Sequence, residues 1–500
     1  MRWNKNMWLL LLIFAITLGV RLFFAFNTPD FTGDSAYFNL RQIEHITEHG
    51  VPQFDDPLSY GGRYYIFPPM FHYILAFFNL FLPISIVCKV IPNIFASLLI
   101  FVAYLIAYKM TEKYTSANFT AAISGFIPIF MGFTINSISV YSLLIPLAFL
   151  TVYCFMKLPQ KKYLYLFIAL AFILPLIHAS ALLIASGLVI YLLFLKLEEL
   201  NMKRIEIEAI LFLLFVMLWV DFLIFKKAFL FNGPGIIWHN IPQQLLNIGA
   251  IKWFILDVMS KVGYIPLVYG IFSIYEHIFK VKNRNIYLLI SFAFSTFCLI
   301  LFKLISLELG LLFLGVIMTL LFSKGFLDYF EWLGKLKWPK IRPAFVIFFF
   351  ISFLINSFVP SVAFARADVT ETPSIDIIEA LEWAKENTFE GSTILASIDN
   401  GHLISTIAKR KNVIDSNFLL VDETTKRLED VEIIYTSKLE TEAQRHLDEY
   451  NIGYIFLSQK EKEIFNIESI GYTSDSRCFK KVFEQNNVTI FRARCSLKVK

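Results

Sequence analysis

The sequence predicts a polytopic α-helical membrane protein of about eleven spans with a C-terminal external α/β soluble domain. Three observations predict this class. Apolar residues make up 57% of the 500 positions and charged residues 17%, and the mean hydropathy is +0.62. A bilayer solvates that much apolar surface, whereas a water-soluble fold of this length cannot hide it. Apolar runs close to the roughly 20 residues that a span needs recur along the first 360 positions. Charge is segregated: short polar breaks interrupt the runs up to Pro360, and from Arg366 to Lys500 acids and bases occur as in an ordinary soluble domain. The expected organisation is a membrane domain over 1–362, with a first external loop over 27–83, followed by an external domain over 363–500.

The expected spans are 7–26, 84–108, 118–135, 141–157, 163–178, 179–196, 207–225, 258–277, 285–303, 305–323 and 343–361. Another apolar stretch, 66–82, opens with Pro68-Pro69 and holds His72 and Asn79. The positive-inside rule decides how to count it. With the N-terminus inside (Arg2 and Lys5 precede the first run) and 66–82 not crossing, five basic clusters fall on the inner side. These are Lys109–Lys113, Lys157–Lys162, Lys196–Arg204, Lys280–Arg284 and Lys324–Arg342. If 66–82 crosses, all five lie outside. It is therefore read as an interfacial or re-entrant helix of the first external loop. The N-terminus is then cytoplasmic and the C-terminal domain external, in a multi-pass protein of the cell membrane. The first run lacks a small-residue cleavage site and is read as a retained span. Lys226-Lys227 falls outside at a span end, where a basic pair snorkels to headgroups.

The first external loop carries the densest polar chemistry. Asp34 opens a helical pattern over 35–48 (Ala36, Leu40, Ile43, Ile46), and an acid there has two readings: an N-terminal cap favoured by the helix dipole, or a functional carboxylate. Arg21 lies near the outer end of the first span, where a charge faces a polar cavity or an acid. Asp55, Asp56 and His45 read as solvated loop residues. Cys88, Cys154 and Cys298 lie in spans as apolar fillers. Cys478 and Cys495 flank a hairpin pattern, 479–484 and 488–494, where a disulfide can close.

The loop presents Arg21, Asp34-Ser-Ala-Tyr37-Phe38, His49-Gly50, Asp56-Pro57-Leu58-Ser59-Tyr60, Gly62-Arg63 and Pro68-Pro69 in that order. This order resembles the first external loop of GT-C glycosyltransferases, most closely the catalytic subunit of oligosaccharyltransferase. The C-terminal domain adds a second likeness. Trp383-Ala-Lys-Glu386-Asn387-Thr388 is followed by Ser397-Ile398-Asp399-Asn400-Gly401 and Val413-Ile-Asp415-Ser-Asn417. The family has a Trp-Trp-Asp-Tyr-Gly signature there, which binds the acceptor sequon. Asp399 and Gly401 keep their places, and Ser397, Ile398 and Asn400 replace the aromatic positions.

The resemblance implies a transferase that moves a sugar or glycan from a polyprenyl-phosphate donor to an external protein or glycan acceptor. Asp34 is implied as catalytic base and as ligand of a divalent metal, Mg2+ or Mn2+. Arg21, Tyr37, Arg41, Arg63 and Asp399 lie in the matching segments and are candidate substrate-binding residues; Asp221 in the seventh span and Lys303 at an outer turn are further candidates by their depth and charge alone. Arg63 or Lys303 suits a lipid phosphate. The family's second acid is absent, since that stretch reads Asn136-Ser-Ile-Ser-Val-Tyr141. Its third is absent from Trp238-His-Asn-Ile-Pro-Gln-Gln244. The metal set is thus incomplete, which points to a monophosphate donor or to an acceptor other than a sequon Asn. Asp221 has a structural alternative, pairing with Lys226 or Lys227.

In the external domain, helices are expected over 374–387 and 442–451, and strands over 393–398, 433–436 and 452–457. No phosphate-binding glycine loop, His/Cys metal spacing or nucleophile triad is present, and nothing calls for a nucleic-acid partner. Asn487-Val-Thr489 is a glycosylation sequon. Two further readings stand beside the enzyme. One is a non-catalytic relative acting as scaffold or lipid-binding protein. The other is a transporter, which the lack of an internal repeat and the sparse polar residues in the spans disfavour.

Overall fold

The computed structural model describes residues 5–235, 255–335 and 342–497. Backbone contacts divide the chain into two units. The first comprises the described parts of Met1–Pro29, Phe67–Lys226 and Gly249–Thr370. The second comprises those of Asp30–Ile66, Lys227–Ile248 and Glu371–Lys500. Most of the first external loop thus groups with the C-terminal domain, where the sequence reading counts it with the membrane half.

The first unit is helical. Seven helices among the described residues are long and apolar enough to cross a membrane, or nine if each of two bent pairs is one span. The bent pairs are Tyr114–Ser124 with Pro128–Thr134, at 46°, and Leu256–Val262 with Tyr264–Phe279, at 94°. The two other expected spans correspond to the shorter helices Tyr141–Met156 and Lys161–Ile177. Met70–Asn79 has 10 residues, about 15 Å of helix against a hydrocarbon core of about 30 Å. Small residues set close helix approaches. A Cβ on Gly187 would lie 2.0 Å from the Phe292 ring, so Leu182–Leu197 and Arg284–Leu301 meet at this glycine. Buried hydroxyls at Ser291, Thr296 and Thr319 donate to carbonyls three or four residues back, which satisfies them without a partner helix.

The second unit is built on a five-stranded mixed sheet. We number strands in chain order: β1 Asp55–Asp56, β2 Arg63–Tyr64, β3 Thr393–Leu395, β4 Lys411–Asn412, β5 Ile452–Leu457, β6 Phe479–Gln485 and β7 Val488–Ala493. The sheet order is β4-β3-β5-β7-β6. The pairs of β3 are parallel and those of β7 antiparallel. β1 and β2 form a separate antiparallel pair. The core gathers Leu395, Ile455, Leu457 and Phe479 from the sheet, Val431, Ile434, Tyr435 and Leu447 from helices, and Tyr60 from the loop.

One element differs from expectation. Residues 433–436, rich in β-branched and aromatic side chains, end the helix Thr424–Thr436. Val431, Ile434 and Tyr435 recur at helical spacing and bury together, and that burial outweighs local strand propensity. Cys478 and Cys495 form the disulfide, with Cα atoms 4.9 Å apart.

Candidate functional site

Asp34 is the first residue of the helix Asp34–His49, which ends at Gly50 in the left-handed conformation (φ 78°). Ala36, Tyr37, Ile43 and Ile46 bury one face of it. The Asp34 side chain does not cap its own helix. It reaches another helix start in the same unit, the turn opening at Gly401. Oδ1 accepts the backbone N–H of His402 at 2.6 Å and of Leu403 at 3.2 Å. Oδ2 accepts the Ser416 hydroxyl at 3.2 Å. These N–H groups are among the first of a helix and have no partner within it, so a carboxylate is what they favour.

Gly401 makes the approach possible. A Cβ at this position would lie 2.1 Å from the Ile414 carbonyl oxygen and 2.6 Å from the Asp415 Cβ. Only glycine lets the helix start pass so close to the strand end that carries Asp415.

A polar cluster surrounds this contact. His402 Nε2 lies 4.0 Å from Asp34 Oδ2 and 3.5 Å from Asp415 Oδ1. All three side chains are at least 94% buried. Asp415 Oδ2 accepts the Ser59 hydroxyl at 2.5 Å, the Tyr65 hydroxyl at 3.3 Å and the Asn412 amide at 3.2 Å. The Phe38 and Tyr65 rings flank His402 at 5.2 and 6.3 Å. Buried His402 Nδ1 has no hydrogen-bond partner among the described residues. Burial pushes the Asp34 carboxyl up to about 6, with His402 and the two N–H groups opposing and Asp415 adding to the rise.

The other expected site residues divide between the units. In the second, Tyr37 is buried, and burial raises its phenol above the ordinary range. Arg41 pairs with Asp56, which is fully buried rather than solvated and also accepts the Leu58 N–H at 2.9 Å. Arg63, expected at a lipid phosphate, is instead an internal brace. Its guanidinium donates to the carbonyls of Asn417 and Leu419, stands 3.9 Å from Asp415 and stacks on Tyr65 at 4.4 Å. Asp399 is half exposed, 3.4 Å from Lys460.

In the first unit, Arg21 is 1% exposed. It donates to Asn93 Oδ1 at 2.9 Å, to Met131 Sδ at 3.1 Å and to Thr134. Its charge is met by polar atoms of neighbouring helices and by the Asp368 carboxylate. Asp221 is buried, and neither carboxylate oxygen has a hydrogen-bond partner among the described residues, so the expected pairing with Lys226 or Lys227 is not made. In the second unit, the Lys227 ammonium lies 3.5 Å from the centre of the Tyr64 ring. Lys303 is exposed in the turn between Arg284–Leu301 and Leu307–Gly334 (φ 55°). The stretch Trp238–Gln244 lies outside the described residues.

The segment that resembles the family's signature has its own hydrogen bonds. Ser397 and Asn400, at two of the positions that are aromatic in the family, donate to Oε1 of fully buried Glu461. The distances are 2.6 Å from the Ser397 hydroxyl, 3.1 Å from its N–H and 2.7 Å from the Asn400 amide. Glu461 Oε2 completes a capping box with Ser458.

A divalent ion does not fit Asp34. Both of its oxygens already accept protein donors, and among the described residues no set of three ligand atoms mutually within 4.8 Å includes it. The two sets that do exist are Asp430, His446 and Glu449, and Glu440 with the disulfide cysteines. In the first, Asp430 and Glu449 already bind Tyr450 and Lys426.

Sequence reasoning singled out Asp34 and missed His402, Asp415, Ser416, Ser59 and Glu461. The available signal was the placement of Gly401-His402 and Val413-Ile414-Asp415 within the family's strand-end pattern.

No protein-family model matches the chain, and no curated protein matches it in sequence. Solved structures do match. The oligosaccharyltransferase of Archaeoglobus fulgidus in its apo form aligns with a TM-score of 0.72 at 13% identity, over 91% of this chain and 70% of that one. The oligosaccharyltransferase AglB from Archaeoglobus fulgidus in complex with an inhibitory peptide and a dolichol-phosphate gives 0.67 at 14% identity over the same shares. ArnT from Cupriavidus metallidurans bound to undecaprenyl phosphate gives 0.57 at 11% identity, over 99% of this chain and 100% of that one. These likenesses show the fold alone: that of a polytopic membrane protein with a C-terminal soluble domain, similar to the oligosaccharyltransferase and ArnT structures.

Proposed function

We propose that this chain is a membrane glycosyltransferase that moves a sugar from a polyprenyl-phosphate carrier to an acceptor on the external face, with Asp34 as the base. The observation that carries the proposal is the Asp34 carboxylate. It is buried, fixed by two N–H groups and poised near neutrality, on the first external loop of a GT-C fold. A carboxyl with a pKa of about 6 is ionised at neutral pH and still basic enough to take a proton from a nucleophile. Solved structures of this fold that hold dolichol-phosphate and undecaprenyl phosphate support a lipid-linked donor.

In the proposed reaction the acceptor's hydroxyl or nitrogen attacks the anomeric carbon. The bond from that carbon to the phosphate oxygen breaks, and polyprenyl phosphate leaves as an anion. The acceptor's proton passes to Asp34 and from there to water. His402 and Asp415 act as positioning residues. His402 holds Asp34 through its backbone N–H, and Asp415 ties the strand end to the loop through Ser59 and Tyr65. The donor set at Asp34 supports a monophosphate donor and no step through a metal. The hydrogen bonds of Ser397 and Asn400 to Glu461 support an acceptor other than a sequon Asn. The disulfide supports an external C-terminal domain, since such bonds persist in oxidising compartments.

The test is transfer by purified protein from a radiolabelled polyprenyl-phosphate hexose to extracted envelope acceptors. The wild type is expected to move label out of the lipid phase. Asp34→Ala, with a comparable melting temperature, is expected to leave it there. Equal transfer by both would sink the assignment of Asp34.

A further inference from the structure

Four of the five basic clusters assigned to the inner side each contribute one residue to a single cavity of about 340 Å³ in the first unit. Lys109 comes from the last turn of Leu99–Thr111, Lys157 from the end of Tyr141–Met156, Lys203 from just before Arg204–Asn232, and Arg284 from the start of Arg284–Leu301. One carboxylate, Glu206, lines the same space and pairs with Arg284. The Lys157 ammonium lies 4.8 and 5.0 Å from the Tyr153 and Tyr163 ring centres. Lys109 and Lys203 have no side-chain partner among the described residues, and the buried Arg284 Nε has no acceptor. The positive-inside rule explains why these residues occupy inner loops. It does not explain why basic residues from four separate loops line one concavity.

We infer that this cavity is a binding site for a phosphate anion, presented by the headgroup of an anionic phospholipid. Four cations facing one acid attract a phosphate, and fixed Lys and Arg donors at a membrane interface suit that group. The volume lies in the range of small-ligand pockets, roughly 300–1,000 Å³. Phe155 and Leu288 line the same space, so an acyl-bearing ligand meets apolar surface beside the charges. The site is independent of Asp34 and of the transfer reaction.

Native mass spectrometry of protein released from phosphatidylcholine nanodiscs doped with phosphatidylglycerol tests the inference. The wild type is expected to retain phosphatidylglycerol. The double variant Lys109→Gln/Lys203→Gln removes the two unpaired cations. Each is worth about 5-fold in affinity near a membrane surface, so about 30-fold weaker retention is expected. A control, Lys113→Gln/Lys162→Gln, alters exposed lysines outside the cavity and is expected to retain lipid as the wild type does. A parallel arm adds inorganic phosphate to detergent-solubilised protein and reads the melting temperature. A rise in the wild type that is lost in the cavity variant, without retained lipid, assigns the phosphate to a soluble source. Equal lipid loss in both double variants overturns the inference. So does a wild type that neither retains phosphatidylglycerol nor responds to phosphate.

Discussion

Asp34 shows how one residue takes on two duties at once. Its carboxylate satisfies the N–H groups of a helix start that lies 368 positions away in sequence, and its burial lifts its pKa to about 6 from an ordinary 3.8. The raised value means that the folded state holds a proton that the unfolded state gives up. The stability associated with this group is therefore fully present below pH about 4 and lost as pH rises through about 6. The shift corresponds to about 3 kcal/mol. The melting-temperature difference between wild type and Asp34→Asn is expected to move in favour of the wild type as pH falls from 7 to 4. A constant difference would place the titrating group elsewhere. Glu461 is another buried acid with a defined role, accepting from Ser397, Asn400 and Ser458. Glu461→Ala strands those donors and is expected to cost about 2–4 kcal/mol in chemical denaturation of the protein. A cost within ~0.5 kcal/mol would show that water replaces the carboxylate. Asp34 was legible in the sequence because its surroundings occur in a recognisable order. His402 and Asp415 were not, because only folding brings residues 34, 402 and 415 together. Asp56 was misread because its partner, Arg41, lies on the preceding helix, where spacing alone does not reveal a buried pair.

At the scale of elements, local pattern predicted most of the pieces. The helix expected over 374–387 is found at Ile375–Asn387, and the strand over 452–457 at Ile452–Leu457. The failure at 433–436 has a physical cause: four residues of strand-favouring type continue an amphipathic helix whose apolar face is already committed to the core. What the pattern cannot express is close approach between distant elements, and Gly401 is the clearest case. Gly401→Ala places a methyl group against backbone rather than against a flexible side chain. The backbone must shift, so the expected cost is about 1–3 kcal/mol, read as a lower melting temperature. The same shift moves the His402 and Leu403 N–H groups away from Asp34, so transfer is expected to fall more steeply than stability does. A Gly401→Ala protein with wild-type stability and wild-type transfer would refute the close approach as a determinant of the site.

For the whole molecule, composition and charge placement give a multi-pass membrane protein, and the solved structures give its fold. The number of spans needs geometry, because two candidates are bent pairs and two are helices of 16 and 17 residues. Such lengths sit at the lower edge of what crosses a bilayer. The chemistry is where this chain departs from its structural neighbours' family. The acids expected beside Asp34 are missing from the stretches where the resemblance places them, and Ser397 and Asn400, at positions the resemblance makes aromatic, bond to Glu461. The account therefore predicts sugar transfer driven by a single base, without a metal at Asp34. The most direct measurement is the pH–rate profile of polyprenyl phosphate release by reconstituted protein, run with and without a chelator, for the wild type and Asp34→Asn. The account predicts a wild-type rate that falls as pH drops through about 6 and is unchanged by chelator, with no release by the variant. A rate abolished by chelator, or a variant that turns over with the wild-type profile, would contradict it.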